Sequence, residues 1–440
     1  MTSLDSLKNA VQTGAYDKAF RALYGADAVL SEVQTRYLNA IARFEEMYAD
    51  LLEKEENAEV RLFSVPGRSE ISGNHTDHNH GRVLAASISL DIIAVAFKTA
   101  KNELRIHSEG FDEDVVALDD VKTVRPEEKY KASAIMRGMC DGFAKNGHAI
   151  GGFVAYTTSN VLKGSGLSSS AAFEDMVGNL LNHFYNEGRV SSVEIAKLAQ
   201  YAENVHFGKP CGLMDQMACA VGGFIAIDFK DPSQPVVEKL PFDLDAAGLS
   251  LCIVNTGGNH ADLNEDYASV PADMKAAAKF LGVEVLADTT KEALLAKASE
   301  IRNSLGDRAL LRALHFFNEN ARVAAQRDAL EKGDLEGFLA GVRASGLSSA
   351  TMLQNVFTVK NVNEQGLTVA LALAAEVLDG VPGSAYRVHG GGFAGTIQAF
   401  VPKARVPEFI ATQEAVFGKG NVYVLSVRPY GAVALDALKA

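Results

Sequence analysis

One segment of this sequence joins a strand-like run to a glycine- and serine-rich loop and then to a helical pattern. Residues 152–158 read GFVAYTT, a β-branched and aromatic run, and residues 163–174 read KGSGLSSSAAFE. The apolar residues that follow recur at the i, i+3, i+4 and i+7 spacing of one helix face: Phe173, Met176, Val177, Leu180, Leu181, Phe184 and Tyr185. A strand, a tight loop and a helix in this order predict a fold in which helices pack on a sheet.

Strand-like runs and helical patterns alternate through the rest of the chain. The other runs are RLFSV, DIIAVAF, ELRIH and GFIAIDF before residue 230, and SLCIVNT, AYRVH, AGTIQAFV and NVYVLSV after residue 249. Residues 1–58 are predicted to form a polar helical extension, and a composition change near residues 240–250 predicts a boundary. We therefore expect an α+β fold with two lobes, residues 59–245 and 246–440, and a cleft between them.

Composition excludes several classes of protein. The formal net charge of −13 opposes binding to nucleic acid or to anionic membranes. The N-terminal MTSLDSLKNA lacks the apolar run of a signal peptide, and no segment reaches the roughly 18 apolar residues of a membrane span. The 4 cysteines are scattered and form no CxxC pair, which favours free thiols. These features predict a cytoplasmic protein without nucleic-acid or membrane partners.

The glycine-serine loop is a candidate phosphate site. Gly164 and Gly166 allow a tight turn, and Ser168, Ser169 and Ser170 add hydroxyls beside the N–H groups of the helix start. That end of a helix carries a partial positive charge suited to phosphate. The loop lacks the GK[ST] ending of a Walker A motif, and an ordinary serine-capped helix is the alternative explanation.

Two carboxylates follow within the segment AENVHFGKPCGLMDQ, residues 202–216. Phosphoryl transfer needs one group that orients or deprotonates the attacking hydroxyl and another that helps to hold Mg²⁺. Glu203 and Asp215 are separated by a turn that contains glycine and proline, so they can face one site from different elements. Their spacing alone is also typical of two unrelated surface acids.

Residues 65–84, VPGRSEISGNHTDHNHGRVL, are dense in polar side chains. A sugar hydroxyl both donates and accepts hydrogen bonds, so carboxylates, amides and imidazoles suit it. Arg68 is the candidate group for stabilising transition-state charge. A zinc site at His75, Asp77, His78 and His80 is the alternative, but no cysteine or second histidine cluster completes it.

Taken in order, these segments resemble the motifs of one enzyme superfamily. GSGLSSSAA resembles the nucleotide-binding loop of the GHMP kinases, and residues 202–216 resemble the galactokinase segment around CGIMDQ. Residues 65–84 resemble the galactokinase signature PGRVNLIGEHTDYNGG, and HGGGFAG, within residues 386–401, resembles the third motif GGGFGG. The resemblance covers about residues 60–435 and implies the two-lobed GHMP kinase fold, with ATP and sugar meeting between the lobes.

The resemblance also implies a reaction, transfer of the ATP γ-phosphoryl group to the C1 hydroxyl of a galactose-like sugar. Asp215 would be the catalytic base, Arg68 the transition-state stabiliser, and Ser170 and Glu203 the Mg²⁺ ligands. The implied sugar-binding residues are Asn74, His75, Thr76, Asp77 and Tyr267. The implied phosphate-binding residues are Gly164, Ser165, Gly166, Leu167, Ser168, Ser169 and Ser170.

The signature departs from the usual form at Glu70, Ser72, Asn74 and His78, which stand for Asn, Ile, Glu and an aromatic residue. In the family, the Glu at position 74 contacts the hydroxymethyl end of galactose, and Asn would relieve repulsion of a galacturonate carboxylate there. Three hypotheses follow: a galactokinase, a sister 1-kinase for galacturonate or an amino sugar, and a non-catalytic sugar and ATP sensor. We expect a monomer or a weak homo-oligomer.

Overall fold

The computed structural model describes residues 3–55, 58–161, 166–209, 211–257 and 263–439. The helices in these ranges are α1 Ser3–Gln12, α2 Asp17–Tyr24, α3 Leu30–Leu52, α4 Ala132–Lys145, α5 Ser169–Tyr185, α6 Ser192–Tyr201, α7 Met214–Val221, α8 Asn264–Phe280, α9 Lys291–Ala296, α10 Ala298–Leu305, α11 Asp307–Glu331, α12 Leu335–Ser348, α13 Gly366–Leu378 and α14 Val406–Phe417. The strands are β1 Arg61–Ser72, β2 Arg82–Lys98, β3 Glu103–Ser108, β4 Glu113–Ala117, β5 Phe153–Ser159, β6 Phe224–Asp228, β7 Val236–Leu240, β8 Leu249–Asn255, β9 Ala385–Val388, β10 Thr396–Pro402, β11 Val422–Leu425 and β12 Val433–Ala434.

The larger sheet is built around the long strand β2. Among the described residues it has eight strands, in the order β12-β1-β2-β5-β3-β4, with β6 and β7 added beside β2. The first half of β2 pairs with β6, and the second half pairs with β5. The pairing of β3 with β5 is parallel, and the others are antiparallel. This sheet carries the signature segment on β1 and the start of β2.

Helices cover both faces of the larger sheet, because side chains alternate along each strand. From β2, Ile93, Val95 and Phe97 belong to the cluster that includes Tyr37 and Phe44 of α3. Their neighbours along the strand, with Ala94 and Ala96 among them, point the other way and join a core with α4 and α5. The N-terminal helices are therefore packed on the sheet by an aromatic face. The proposed division at residues 58 and 245 stays a prediction.

The smaller sheet lies in the second half of the chain. Its four strands in the described residues have the order β11-β8-β10-β9, all antiparallel. One face packs on α13 and α14 through Cys252, Val254 and Ile397. The other face, with Leu251 and Phe400, belongs to the same core as the larger sheet. The two sheets therefore share one apolar core.

The strand-like runs named from the sequence correspond to β1, β2, β3, β5, β6, β8, β9, β10 and β11. The strands β4, β7 and β12 were not predicted. β12 has only 2 residues and is a strand only because it pairs with β1, which is a contact over more than 360 positions. No helix in the described ranges is long and apolar enough to cross a membrane.

Candidate active site

Arg68 and Asp215 form the centre of the site. Arg68 lies on β1 between two irregularities in the pairing with β2, where a bulge redirects side chains. Its Nε and Nη2 both lie 2.8 Å from Oδ1 of Asp215, which occupies the first turn of α7. The Arg68 side chain is nearly buried, whereas that of Asp215 is 36% exposed. The carboxylate is thus held by a cation and remains accessible to a ligand.

The glycine-serine loop contacts the same carboxylate. Ser168 Oγ donates to Asp215 Oδ2 over 2.5 Å, and Arg68 Nη1 donates to the Gly166 carbonyl. Ser168 has φ +61°, which a non-glycine residue rarely adopts, and it directly precedes α5. Leu167 is buried and accepts from the Arg68 N–H at 3.1 Å. The loop start, with Gly164 and Ser165, lies outside the described residues.

A small cavity of about 190 Å³ opens beside Asp215. Since about 10–15 Å³ of such space already admits one water, the cavity has room for a small polar ligand. Three carboxylates line it, those of Glu70, Asp77 and Asp215. The other lining residues are Gly73, Asn74, His75, His78, Val83, Cys211, Gly212, Met214 and Gly391. The signature segment and the Asp215 segment therefore share one polar cavity.

Asn74 and His75 are both held tightly at this cavity. Asn74 is fully buried, and its Nδ2 donates to Glu70 Oε1 at 2.8 Å and to the Gly390 carbonyl at 2.7 Å. His75 has φ +59°, and its Nε2 donates to the Gly391 carbonyl over 3.0 Å. Burial lowers the pKa of His75 to about 4, so the imidazole is neutral at physiological pH.

The remaining predicted sugar residues divide into two groups. Asp77 lines the cavity, and its Oδ1 accepts from the His78 N–H at 2.9 Å. Thr76 is buried outside the lining, where Oγ1 lies 2.6 Å from the Arg82 carbonyl, to which it donates, and 2.9 Å from the Gly73 carbonyl. Tyr267 also lies outside the lining. Its hydroxyl donates to the Gly392 carbonyl at 2.9 Å, and its ring lies where a Cβ on Gly391 would be. In this structure, Thr76 and Tyr267 therefore support the backbone around the cavity.

A larger cavity of about 460 Å³ lies on the other side of the loop. Its polar lining includes Ser169, Ser170 and Glu174. Its apolar walls include Ile92, Phe111, Ile135, Val161, Phe173 and Phe207. An apolar pocket that ends in hydroxyls at a helix N-terminus suits a base and its attached phosphates. Ser168 lies between the two cavities, next to Ser169 in the chain and bonded to Asp215.

Glu203 and Glu174 are brought together by one amide. Glu203 is the second residue of a π-helical turn, Ala202–Phe207, at the end of α6. Gln216 Nε2 lies 2.9 Å from an oxygen of each carboxylate, and Lys209 Nζ lies 3.3 Å from Glu203 Oε1. Burial, with Glu203 nearby, raises the pKa of Glu174 well above 4.5. Lys209 therefore compensates the charge of Glu203, and burial favours the protonated form of Glu174.

The donor set near the loop fits Mg²⁺, which takes oxygen ligands and is commonly held by one or two carboxylates together with substrate phosphates. Glu174 Oε1 is buried and has no hydrogen-bond partner in the described part of the chain, and Ser170 shares a cavity with Glu174. In those same ranges, no three His, Cys, Asp or Glu side chains form a ready metal centre. Ser170, Glu203 and Glu174 are the residues that would hold the ion.

Sequence reasoning did not assign Glu174 and Gln216 to the site. Gln216 stands next to Asp215, and Glu174 lies four positions after Ser170, on the same face of α5. That helical spacing was the available signal for Glu174. The contact of Gln216 with both acids depends on how α5, α6 and α7 pack and could not be derived from the sequence.

Comparison with known proteins identifies the family. The GHMP kinases N terminal domain matches residues 133–223, and the galactokinase galactose-binding signature matches residues 43–98. The galactokinase of Streptomyces coelicolor is 32% identical over 364 residues, 82% of this chain and 89% of that protein. The galactokinase of Clostridium acetobutylicum is 30% identical over 361 residues, 81% of this chain and 89% of that protein.

Solved structures share the fold. The structure of Lactococcus lactis galactokinase complexed with galactose has a TM-score of 0.73 at 24% identity, and the match covers 89% of this chain and 99% of that one. A mevalonate kinase has a TM-score of 0.58 at 14% identity, over 83% and 98% of the two chains.

Fold and site together define a GHMP kinase, and the predicted α+β GHMP fold is confirmed. Within that class, the chain belongs to the galactokinase family and is a sugar kinase. Its membership implies that ATP is the phosphoryl donor.

Proposed function

We propose that this kinase transfers the γ-phosphoryl group of Mg-ATP to the C1 hydroxyl of galactose. The observation that carries the proposal is the position of Asp215, on the wall of the small polar cavity and bonded to Ser168 of the loop that borders the larger cavity. Two relatives at 30% identity or more and one solved galactose complex bear the galactokinase name. The four free cysteines further support a cytoplasmic location.

In this proposal the sugar occupies the small cavity with its C1 hydroxyl toward Asp215. Asp215 orients that hydroxyl and takes its proton, while the hydroxyl oxygen bonds to the γ-phosphorus and the bond to the ADP oxygen breaks. Arg68, within 2.8 Å of Asp215, holds the carboxylate in place and stabilises charge that develops on the transferred group. His75 and Asp77 bind sugar hydroxyls from the cavity wall.

The nucleotide is proposed to lie in the larger cavity with its phosphates over the loop. Ser168 and Ser169 at the start of α5 place hydroxyls and N–H groups at the phosphates. Mg²⁺, when bound, neutralises phosphate charge. Ser170, Glu203 and Glu174 would hold it, and Gln216 keeps the Glu203 carboxylate oriented. Thr76 and Tyr267 act on the sugar indirectly, through the backbone that they hold.

The test is ADP release from Mg-ATP with galactose, galacturonate, galactosamine, N-acetylgalactosamine and glucose as acceptors, with the phosphorylated carbon assigned by NMR. We expect turnover with galactose and phosphate at C1. The Asp215→Asn variant should lose at least about 100-fold in kcat, with the sugar KM within a few-fold of wild type. Asp231→Asn, at a surface turn, is the control and should match wild type. Full turnover by Asp215→Asn would contradict the mechanism.

A further inference from the structure

The acid and the amide of the sugar signature have exchanged places in this chain. The usual signature has Asn at position 70 and Glu at position 74, whereas this chain has Glu70 and Asn74. The two side chains contact each other, with Asn74 Nδ2 at 2.8 Å from Glu70 Oε1, and both line the small cavity. The carboxylate that is absent at position 74 is thus present at position 70, and the two side chains are in contact.

Asn74 has no free hydrogen-bonding group to offer a sugar. Its two amide hydrogens are directed to Glu70 and to the Gly390 carbonyl. Its Oδ1 accepts from Asn355 at 2.8 Å and from Ser349 at 3.3 Å. A side-chain amide has two donors and one acceptor oxygen with two lone pairs, so this capacity is used up. A ligand hydroxyl must find another partner at this end of the cavity.

Glu70 can still accept a hydrogen bond from a ligand. A carboxylate offers about four acceptor positions, and Asn74 occupies one of them. Arg387, which is fully buried, places Nη2 at 3.6 Å from Glu70 Oε1 and donates from Nη1 to the Ile71 carbonyl at 3.0 Å. Burial raises the pKa of the Glu70 carboxyl, and Arg387 and Arg68 work against that rise. Glu70 is therefore held in one orientation at the cavity wall.

The charges around the cavity disfavour an anionic sugar. Glu70, Asp77 and Asp215 line the cavity, while the nearest arginines are already paired, Arg68 with Asp215 and Arg387 with Glu70. The buried His75 adds no positive charge at neutral pH. A uronate placed here would bring a fourth carboxylate beside the other three.

We propose that Glu70 is the specificity-determining acid of this sugar site, which accepts a hydroxyl of a neutral hexose and excludes a uronate. Asn74 and Arg387 are its positioning residues. Resting on the proposed function, this inference replaces the expectation that Asn74 opens the cavity to galacturonate. The exchange moves the selecting carboxylate by four positions in the chain and keeps it in the same cavity.

The experiment compares kcat/KM for galactose with kcat/KM for galacturonate in wild type, Glu70→Gln and the double variant Glu70→Asn with Asn74→Glu. Each ratio comes from one preparation, so a loss of folded protein cancels, whereas a change in selectivity does not. We expect wild type to favour galactose by at least about 100-fold, because like-charge contacts are strongly unfavourable. Glu70→Gln should lower this preference for galactose at least about tenfold, mainly through the KM values of the two sugars. The double variant should restore most of the preference. Glu331→Gln, on the exposed end of α11, is the control and should keep the wild-type ratio.

Two results would overturn the role of Glu70 and leave the kinase reaction intact: a wild type that favours galacturonate, or a Glu70→Gln ratio equal to that of wild type. Failure of both sugars to turn over would instead contradict the proposed function. In that case calorimetric titration of the two sugars tests the role of Glu70. The ratio of their dissociation constants should narrow at least about tenfold in Glu70→Gln relative to wild type.

Discussion

Asp175 lies one residue after Glu174 in α5 and is fully buried. Neither of its carboxylate oxygens has a hydrogen-bond partner among the described residues. Burial raises the pKa of this carboxyl well above its usual 3.8, and Glu174 adds to the rise. A buried polar group without a partner costs about 1–3 kcal/mol. Asp175 therefore lowers the stability of the helix that follows the glycine-serine loop.

We predict that Asp175→Val raises the free energy of unfolding by about 1–3 kcal/mol at pH 8, because it removes the unpaired carboxyl at similar volume. The folded-state pKa lies above the unfolded one, so wild type loses stability as the pH rises between them. The gain should therefore be smaller at pH 5 than at pH 8. Urea unfolding of wild type and Asp175→Val at both pH values measures this difference in the free energy of unfolding.

Asp175→Asn is the matched control for that experiment. It cannot titrate but still buries polar atoms, so it should abolish the change with pH and give a smaller gain at pH 8. A Val variant that is less stable than wild type at both pH values would show that Asp175 has a partner that stabilises it.

The sequence located single residues where the chemistry is local. Arg68, Asp215 and Ser168 were named from their motifs, and the structure brings them within direct contact. Orientation was not predictable, because it depends on partners far along the chain. Asn74 is a residue type that can hydrogen-bond a sugar hydroxyl. Its side-chain oxygen, however, already accepts from Asn355, 281 positions away.

At the level of elements, α3 is joined to the larger sheet by a buried ion pair. Arg36 Nη1 lies 2.5 Å from Asp91 Oδ1, and Arg428, from the C-terminal segment, approaches the other oxygen at 3.1 Å. Asp91 is fully buried on β2, and its backbone exchanges two hydrogen bonds with Asn160, near the start of the glycine-serine loop. The helical extension therefore stabilises the strand that borders the larger cavity.

We predict that Arg36→Met lowers the free energy of unfolding by about 3 kcal/mol, because it leaves the buried Asp91 carboxylate with less compensation. Burial alone would raise the pKa of Asp91, but Arg36 and Arg428 outweigh it and lower that pKa below 3.8. The stability from this depressed pKa is present above the unfolded value and is lost as the pH falls through the folded one. In the variant this loss should begin at higher pH, which acid titration by circular dichroism measures.

Arg43→Met provides the comparison on the same helix. Arg43 pairs with Glu46, and both side chains are more than half exposed, so the unfolding midpoint should remain that of wild type. Equal losses in the Arg36 and Arg43 variants would mean that shortening the arginine weakens α3 itself, and that the buried pair contributes nothing specific.

Element prediction succeeded where a strand has its own apolar run and failed where pairing alone makes the strand. The run RLFSV at residues 61–65 predicts a strand that ends before Pro66 and Gly67, yet β1 continues to Ser72. Irregular pairing with β2 between Pro66 and Arg68 accommodates the proline. The proline is visible in the sequence, but its pairing partner, Asp91 on β2, is not.

At the scale of the whole molecule, the second half of the chain holds the sugar signature in place. Gln398 bonds Ser69 and the Glu70 carbonyl at 2.9 and 2.7 Å, and Glu319 accepts from the Gly73 N–H at 2.9 Å. His315 donates to the Asn74 carbonyl at 2.9 Å. Together with the core that both sheets share, these bonds make the lobes interdependent.

We predict one cooperative unfolding transition, because separate unfolding of either half would break these bonds and expose the shared core. Calorimetry should give equal calorimetric and van't Hoff enthalpies, and tyrosine fluorescence should report the same midpoint as circular dichroism. In Asp215→Asn, with no ATP present, galactose at 100 times its dissociation constant should stabilise the fold by about 2.7 kcal/mol and move the whole transition upward. Glucose at the same concentration controls for a general effect of sugars. Two separated transitions, with galactose moving only one of them, would contradict the coupling, because a ligand held by β1 and by Gly391 must stabilise both halves together.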